Sequence, residues 1–365
     1  MPEGNAQYDL ALLPDDGPIP EKRSCRKAFI LLLIWSVLVP LALFFLIVAT
    51  VLSTLLGFMG AFTKERIVKF MLITIPIFLC ETIRENILYH IGFLNKAQMH
   101  PPERLADNLW SMTYYSENPH LFPLPLWTQI KCNCLIWREI GGSKLVLISP
   151  PPPTKAAVKM IAALGKIALA VSPGNGHDMN AHKWSELVEG CQTSCFKELD
   201  HEPELKEWDR RVDVYSEDVL APLGIRWHIV PPGVFAGARG IKTKNSRKPF
   251  KEAIIQLPIQ KADHPSTYAL VFQDTLQNSR CIRKQSNPLI SAYQALILWL
   301  YGLYGFRVTR LFQTAFVGNP RLLKEFILEK LCTLQDISML LPLHGPPITE
   351  PGVLDTLKEA VSNLR

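Results

Sequence analysis

The chain has 365 residues, of which 48% are hydrophobic and 20% are charged. This balance excludes a largely disordered protein, and the length suits one large domain with an additional segment. Lysine and arginine (39) exceed aspartate and glutamate (33) by only 6, and the basic residues are too dispersed for a nucleic-acid-binding surface. We therefore expect no nucleic acid among the partners.

The first prominent feature along the chain is apolar. After a polar N-terminal tail (residues 1–27), the 36 residues 28–63 carry no charge, whereas one transmembrane helix needs about 20 residues. Residues 70–80 add an apolar stretch that is too short to span a bilayer alone. We predict membrane-embedded and interfacial helices over residues 28–99, as either a single transmembrane helix or a hairpin. Basic residues flank the segment almost evenly and leave its orientation open.

Two other features bear on location and partners. The eight cysteines form neither a CxxC pair nor a dense framework, which is typical of reduced thiols and predicts that the soluble domain faces the cytosol. Residues 239–251 hold six basic residues and no acidic one; the segment is either a solvated loop or a contact for anionic lipid headgroups or an anionic substrate. Membrane lipid is therefore a predicted partner. The uncharged, aromatic-rich residues 288–306 are interpreted as a buried helix, with membrane contact as the alternative.

From residue 100 onward, short apolar runs are separated by turns. The runs LWSMTYY, CNCLIW and KLVLISP predict strands, and a helical segment, TKAAVKMIAALGKI, leads into the strand IALAVSP. Strands followed by a helix and a further strand predict an α/β or α+β sandwich over residues 100–349, of which we take α/β as the prediction. Residues 350–365 are predicted to form a C-terminal helix.

Chemistry-bearing side chains follow several of these strands. IALAVSP ends in the polar turn GNGHDMNAHKW, which contains His177 and His182, while TYALVFQDT ends at Asp274 and ISMLLPLHGPP ends at His344. Because α/β proteins place reactive groups at the carboxyl ends of strands, these four residues are the candidate site. Any one of the histidines alone is more often structural, but their joint order favours a functional site.

Over residues 105–344, the order of these motifs resembles the metallo-β-lactamase superfamily. The resemblance implies an αββα sandwich, here preceded by the N-terminal transmembrane helix or hairpin. The family's H-x-H-x-D-H loop corresponds to HDMNAH at residues 177–182, which keeps the first and last histidines. The family's PGH turn corresponds to Pro232-Gly233-Val234, which lacks the histidine.

The resemblance also implies which ligands remain. Of the family's first metal position only His177 is left, whereas the second position keeps His182, Asp274 and His344. Two imidazoles and a carboxylate suit a single zinc, with iron as the alternative, and Asp178 is a candidate base. The implied activity is that of a hydrolase or lyase-like enzyme acting on an ester, lactone or thioester of a lipophilic or anionic small molecule.

Other interpretations of the same residues stay open. Reading the loop as NGHDMN over residues 175–180 keeps one histidine and leaves His182 outside it, which favours a site without metal. The chain would then be a metal-free membrane scaffold with the same fold. A third possibility is a non-haem iron enzyme with oxidative chemistry, which would use the same two histidines and aspartate.

Overall fold

The computed structural model describes residues 99–115, 131–174, 177, 180–197, 212–236, 250–261, 264–279, 305–349, 351–362 and 364. Residues 28–98 of the predicted membrane segment lie outside the described residues, as do residues 288–304 of the second apolar stretch. Within the described part of the chain, none of the helices combines the length and the apolar character needed to cross a membrane.

The strands form two main sheets. The first has seven strands in the order β1 to β7, antiparallel from β1 to β4 and parallel from β4 to β7. Its strands are β1 (Glu103–Ala106), β2 (Leu109–Tyr115), β3 (Lys131–Arg138), β4 (Lys144–Ile148), β5 (Lys166–Ser172), β6 (Gln192–Cys195) and β7 (Val214–Tyr215). The second has the order β13-β10-β9-β8, with β10 and β13 parallel. Its strands are β8 (Arg226–Ile229), β9 (Ala253–Lys261), β10 (His264–Phe272) and β13 (Ile337–Pro342), and a separate pair is formed by β11 (Gln277–Ser279) and β12 (Gly305–Arg307).

Helices cover both sheets. They are α1 (Lys155–Ala162), α2 (Ala181–Leu187), α3 (Ser216–Leu220), α4 (Pro232–Phe235), α5 (Arg310–Phe316), α6 (Pro320–Glu325) and α7 (Val353–Ser362), with a 3-10 turn at Ala221–Leu223 and a π-helical turn at Phe326–Leu331. The predicted turn at Pro232-Gly233-Val234 is instead the start of α4, which buries Val234. The last helix, α7, lies within the predicted segment 350–365 and buries one face.

Three apolar clusters hold these layers together. Consecutive strand residues point to opposite faces of a sheet, so each buried strand contributes side chains to two clusters. Trp137 and Ile255 belong to the cluster between the two sheets. The neighbouring Ile136 joins the cluster under α1 and α2, and Ile254 joins the cluster under α5, α6 and α7. The order is therefore helix, sheet, sheet, helix, and the predicted α/β class is confirmed.

Parallel pairing brings the ends of several strands to a common edge. In the first sheet β4 and β5 end together, with Ile148 opposite Val171. In the second sheet β10 and β13 end together, with Phe272 opposite Pro342. An isolated bridge between Gly174 and Glu252 joins the end of β5 to the start of β9. The segments that leave these strands therefore meet at one place.

Candidate metal centre

Three of the predicted site residues meet at this edge. His177 lies in the segment that follows β5, Asp274 is the second residue after β10, and His344 is the second residue after β13. Since Phe272 and Pro342 are paired on parallel strands, the residues two positions beyond them leave the sheet side by side. The first sheet therefore supplies one of the three side chains and the second sheet supplies two.

The donor atoms of the three side chains face one another. His177 Nε2 lies 3.1 Å from His344 Nε2, which lies 3.0 Å from Asp274 Oδ1. The distance between His177 Nε2 and Asp274 Oδ1 is 4.0 Å. Among the described residues, these are the His, Cys, Asp and Glu side chains that gather three donor atoms within 4.8 Å. Both histidines are buried, while the Asp274 side chain keeps 19% of its exposure and opens one side of the trio to solvent.

Hydrogen bonds on the far ring nitrogens orient both imidazoles. His344 Nδ1 donates to the Lys131 carbonyl oxygen at 2.8 Å. Because a carbonyl only accepts, the proton is on Nδ1, and Nε2 is directed at the other two groups. His177 Nδ1 lies 2.6 Å from Ser149 Oγ, which holds that ring with Nε2 toward His344. An oxygen partner on the second ring nitrogen is typical of histidines that bind a metal.

Burial and mutual charge set the protonation of the trio. Burial lowers the pKa of His177 to about 4, so this imidazole is neutral at neutral pH. Burial would raise the pKa of Asp274, but the hydrogen bond and charge of His344 outweigh it and hold that pKa below its ordinary value. Burial likewise lowers the pKa of His344, yet Cys132 and Asp274 outweigh it and raise that pKa well above 6.5. The trio therefore combines a neutral imidazole, a carboxylate with a lowered pKa and a second imidazole with a raised pKa.

The residues fit a divalent metal ion. The two imidazole nitrogens lie 3.1 Å apart, a separation at which their lone pairs need either a proton or a cation between them. In a tetrahedral zinc site the bonds are about 2.0–2.1 Å long, which places donor atoms roughly 3.3 Å apart. The observed separations of 3.0, 3.1 and 4.0 Å lie around that value. Two histidines and one carboxylate with a further position free is a ligand set of catalytic zinc sites.

The trio differs from the one that the sequence predicted. Asp274 and His344 are in it as expected, but the second imidazole belongs to His177, and His182 does not join them. His182 is the second residue of α2, and this half-buried side chain lies beside Ala181, which is packed under the first sheet. Because α2 already begins at Ala181, His182 belongs to a helix and not to the segment that carries His177. The candidate base Asp178 lies outside the described residues.

A residue that sequence reasoning missed is Ser149. It follows β4 directly, is fully buried, and has a φ of 55°, a left-handed conformation that is uncommon outside glycine. Its backbone N–H donates to the Val171 carbonyl oxygen, and Tyr114 Oη lies 3.4 Å from its hydroxyl. The strained backbone thus holds the hydroxyl where it meets His177. The four prolines that follow this serine have no backbone N–H and cannot continue β4, so they were the available sequence signal that the strand ends here.

Strand β3 fixes the turn that carries His344. Asn133 Nδ2 donates to the carbonyl oxygens of Pro342 at 3.0 Å and Gly345 at 2.6 Å. Cys132 is buried in this strand, and its Sγ lies 3.9 Å from His344 Nδ1. The five cysteines in the described part of the chain carry free thiols.

Comparison with known proteins gives structural likeness at low identity. No family model and no curated protein matches the chain. Among solved structures, it is similar to the metallo-β-lactamase FIM-1 from Pseudomonas aeruginosa in its mono-zinc form, with 13% identity and a TM-score of 0.40 over 72% of this chain and 95% of that one. A metallo-β-lactamase from Pontibacter korlensis has 10% identity and a TM-score of 0.39, over 73% of this chain and 100% of that one. DIM-1 metallo-β-lactamase has 13% identity and a TM-score of 0.41, over 74% of this chain and 100% of that one. The chemistry of the site therefore rests on this chain's own residues.

Proposed function

We propose that the chain is a membrane-anchored, metal-dependent hydrolase or lyase-like enzyme with a metallo-β-lactamase-like fold. Its single zinc would be held by His177, Asp274 and His344. The observation that carries the proposal is the convergence of three donor atoms whose two imidazoles are already oriented by Ser149 and the Lys131 carbonyl group. Such preorientation is what a metal site needs and what an ordinary buried histidine pair does not.

The chain's own residues define what the site can do. When bound, zinc supplies a Lewis acid that polarises a carbonyl oxygen and acidifies a water molecule. His177 and His344 offer neutral nitrogen donors once the proton between them leaves, and Asp274 contributes the negative charge that offsets part of the cation's charge. Asp274 is the most exposed member of the trio, so we propose that a substrate approaches from its side. We propose Asp178, next in sequence to His177, as the base.

The proposed substrate is an ester, lactone or thioester of a lipophilic or anionic small molecule. The support for this class is the sequence: residues 28–63 carry no charge, and residues 239–251 carry six basic side chains. A membrane anchor would hold the domain at the bilayer where lipophilic substrates partition, and a basic segment would attract anionic groups. We place the domain on the cytosolic side because of the sparse, unpaired cysteine pattern.

A second candidate function uses the same three residues. Two histidines and one carboxylate are also the facial triad of non-haem iron oxygenases. The trio of His177, Asp274 and His344 has this composition, so an iron-dependent oxidative reaction is the alternative. The identity of the bound metal and the need for oxygen separate the two functions.

Metal content tests both. Full-length protein purified in detergent should contain about one equivalent of zinc by elemental analysis, and Asp274→Ala and His344→Ala should each lose it. Turnover would then be measured on a panel of esters, lactones and thioesters of increasing chain length. Iron with oxygen-dependent turnover would instead support the second function. A folded protein that takes up neither metal, even after incubation with zinc or with iron under anaerobic conditions, would overturn both and leave a metal-free scaffold.

A further inference from the structure

A buried carboxylate lies directly behind the metal centre. Glu252, the residue before β9, is fully buried, and its side chain accepts four hydrogen bonds. Oε1 accepts from the Gln273 backbone N–H at 2.8 Å. Oε2 accepts from the backbone N–H groups of Asp274 at 3.2 Å and Thr275 at 2.9 Å, and from Thr275 Oγ1 at 2.6 Å. All four donors belong to the turn 273–275, which presents Asp274 to the site.

The backbone of the same residue holds the other side of the site. Glu252 is bridged to Gly174, and the next residue, Ala253, donates its N–H to the Pro173 carbonyl oxygen at 2.8 Å. His177 N in turn donates to the Gly174 carbonyl oxygen at 3.4 Å. The approach is close, because a Cβ on Gly174 would collide with Gln273 Oε1. One residue therefore contacts both of the segments that supply His177 and Asp274.

We infer that Glu252 is a positioning residue of the metal centre, which sets the separation between the Asp274 carboxylate and the His177 imidazole. The inference rests on the proposed function. Its side chain fixes the turn on the second sheet, and its backbone fixes the segment on the first sheet. A shift of either would change the distance of 4.0 Å between His177 Nε2 and Asp274 Oδ1.

The hydrogen bonds at this position require both oxygens of a carboxylate. Three backbone N–H groups, two of them buried and that of Asp274 partly buried, converge on two oxygens, and each would lose this partner if the side chain were apolar. Glutamine keeps the shape but offers a single acceptor oxygen, and its amide hydrogens would face the donors of the turn. Glu252→Gln therefore disturbs the turn without substituting any of the three proposed ligand residues.

Cobalt binding to the full-length protein tests the inference. Co²⁺ reports affinity through titration and ligand geometry through its visible absorption bands. We expect Glu252→Gln to weaken Co²⁺ binding by about 10–100-fold and to change the absorption bands, as changes behind metal ligands do. Thr275→Val removes one of the four donors and should weaken binding roughly 3–10-fold.

Asn108→Ala is the matched control. Asn108 is a buried side chain that donates to the Pro258 carbonyl oxygen at 3.2 Å and accepts from the Gln260 N–H at 2.9 Å, so its loss also removes buried hydrogen bonds. It should melt earlier but bind Co²⁺ with unchanged affinity and spectrum.

The outcomes separate this inference from the proposed function. If the unaltered chain binds Co²⁺ and a folded Glu252→Gln variant binds it equally well with the same spectrum, the positioning role is overturned and the metal site stands. If Glu252→Gln does not fold, Thr275→Val decides, and unchanged binding there overturns the role. If the unaltered chain binds neither Co²⁺ nor Zn²⁺, both proposals fail.

Discussion

Two histidines five positions apart in sequence have different surroundings in the fold. His177 has partners on both ring nitrogens, Ser149 on one side and His344 on the other. His182 is a helical residue whose backbone carbonyl oxygen accepts a hydrogen bond from Ser185. The match to the ligand-loop motif includes both histidines, because it depends only on their positions in the sequence. It contains no information on where α2 begins. Membership of the trio, which appears only in the folded chain, distinguishes them: the donor atom of His177 lies with those of Asp274 and His344, and that of His182 does not.

This difference leads to a paired prediction. His177→Ala should abolish binding of zinc by the full-length protein, because only Asp274 and His344 would remain. His182→Ala should keep about one equivalent of zinc, because this side chain is outside the trio. Elemental analysis after gel filtration measures both. The reverse result would return the second imidazole to His182, as the sequence first indicated.

A second prediction at this scale concerns Ser149, whose hydroxyl orients His177. Ser149→Ala should reduce zinc affinity by about 10–100-fold, because the His177 ring loses the partner of its Nδ1. Ser149→Gly loses the same hydroxyl but relieves a positive φ that costs about 1–3 kcal/mol, so it should be at least as stable as the alanine variant while binding zinc as weakly. Competition with a chromophoric chelator and urea unfolding measure the two effects.

Ser194→Ala serves as the control for Ser149. Ser194 is an equally buried serine of β6 whose hydroxyl bonds to that of Ser216 at the start of α3. Its loss should lower stability and leave zinc affinity unchanged. Equal loss of affinity in both variants would show that Ser149 acts through general stability and not through His177.

At the scale of elements, the strands were the most predictable part of the chain. The runs that became β2, β3, β4, β5, β10 and β13 are short, apolar and bounded by polar turns, so their sequence alone indicates strands. Their ends correctly located Asp274 and His344. The contacts of Ser149 and Glu252 could not be predicted from the sequence. Ser149 meets a residue 28 positions away, and Glu252 meets residues 21–23 positions away. Such contacts depend on which strands become neighbours, and a local pattern carries no information on that.

The turn after β13 shows how one element depends on another. Gly345 has a φ of 103°, and a Cβ there would overlap the Asn278 carbonyl group at β11. The Asn278 N–H also donates to the His344 carbonyl oxygen at 2.9 Å. The close approach of β11 thus fixes the residue that carries the imidazole, and only glycine leaves room for it.

We therefore expect Gly345→Ala to destabilise the protein by at least about 1–3 kcal/mol and to weaken zinc binding, since the turn must move away from β11. Gly190→Ala is the matched control: its φ is 76°, but a Cβ there meets no atom within 4 Å. Gly190→Ala should lower the free energy of unfolding by less, because only the left-handed backbone is penalised. Its zinc affinity should be unchanged. Urea unfolding and chelator competition give both values, and equal effects of the two substitutions would contradict the role of the close approach.

For the whole molecule, the trio of His177, Asp274 and His344 lies across the boundary between the two sheets. The segment with His177 leaves β5 of the first sheet, and Asp274 and His344 leave β10 and β13 of the second. The interior between the sheets is apolar and therefore non-directional in its attraction. A cation held by all three side chains would add a directional link between the sheets that the apolar cluster does not provide.

This arrangement predicts that zinc stabilises the fold as a whole. A ligand that binds only the folded state adds about 2.7 kcal/mol at a free concentration 100 times its Kd, which for a domain of this size raises Tm by roughly 5–10 °C. Differential scanning calorimetry of the full-length protein should show this rise, with no comparable rise in Asp274→Ala. Because the link joins both sheets, a single cooperative transition should move upward. A rise confined to one of two separate transitions would mean that the cation is held within one sheet, and that His177 is not among its ligands.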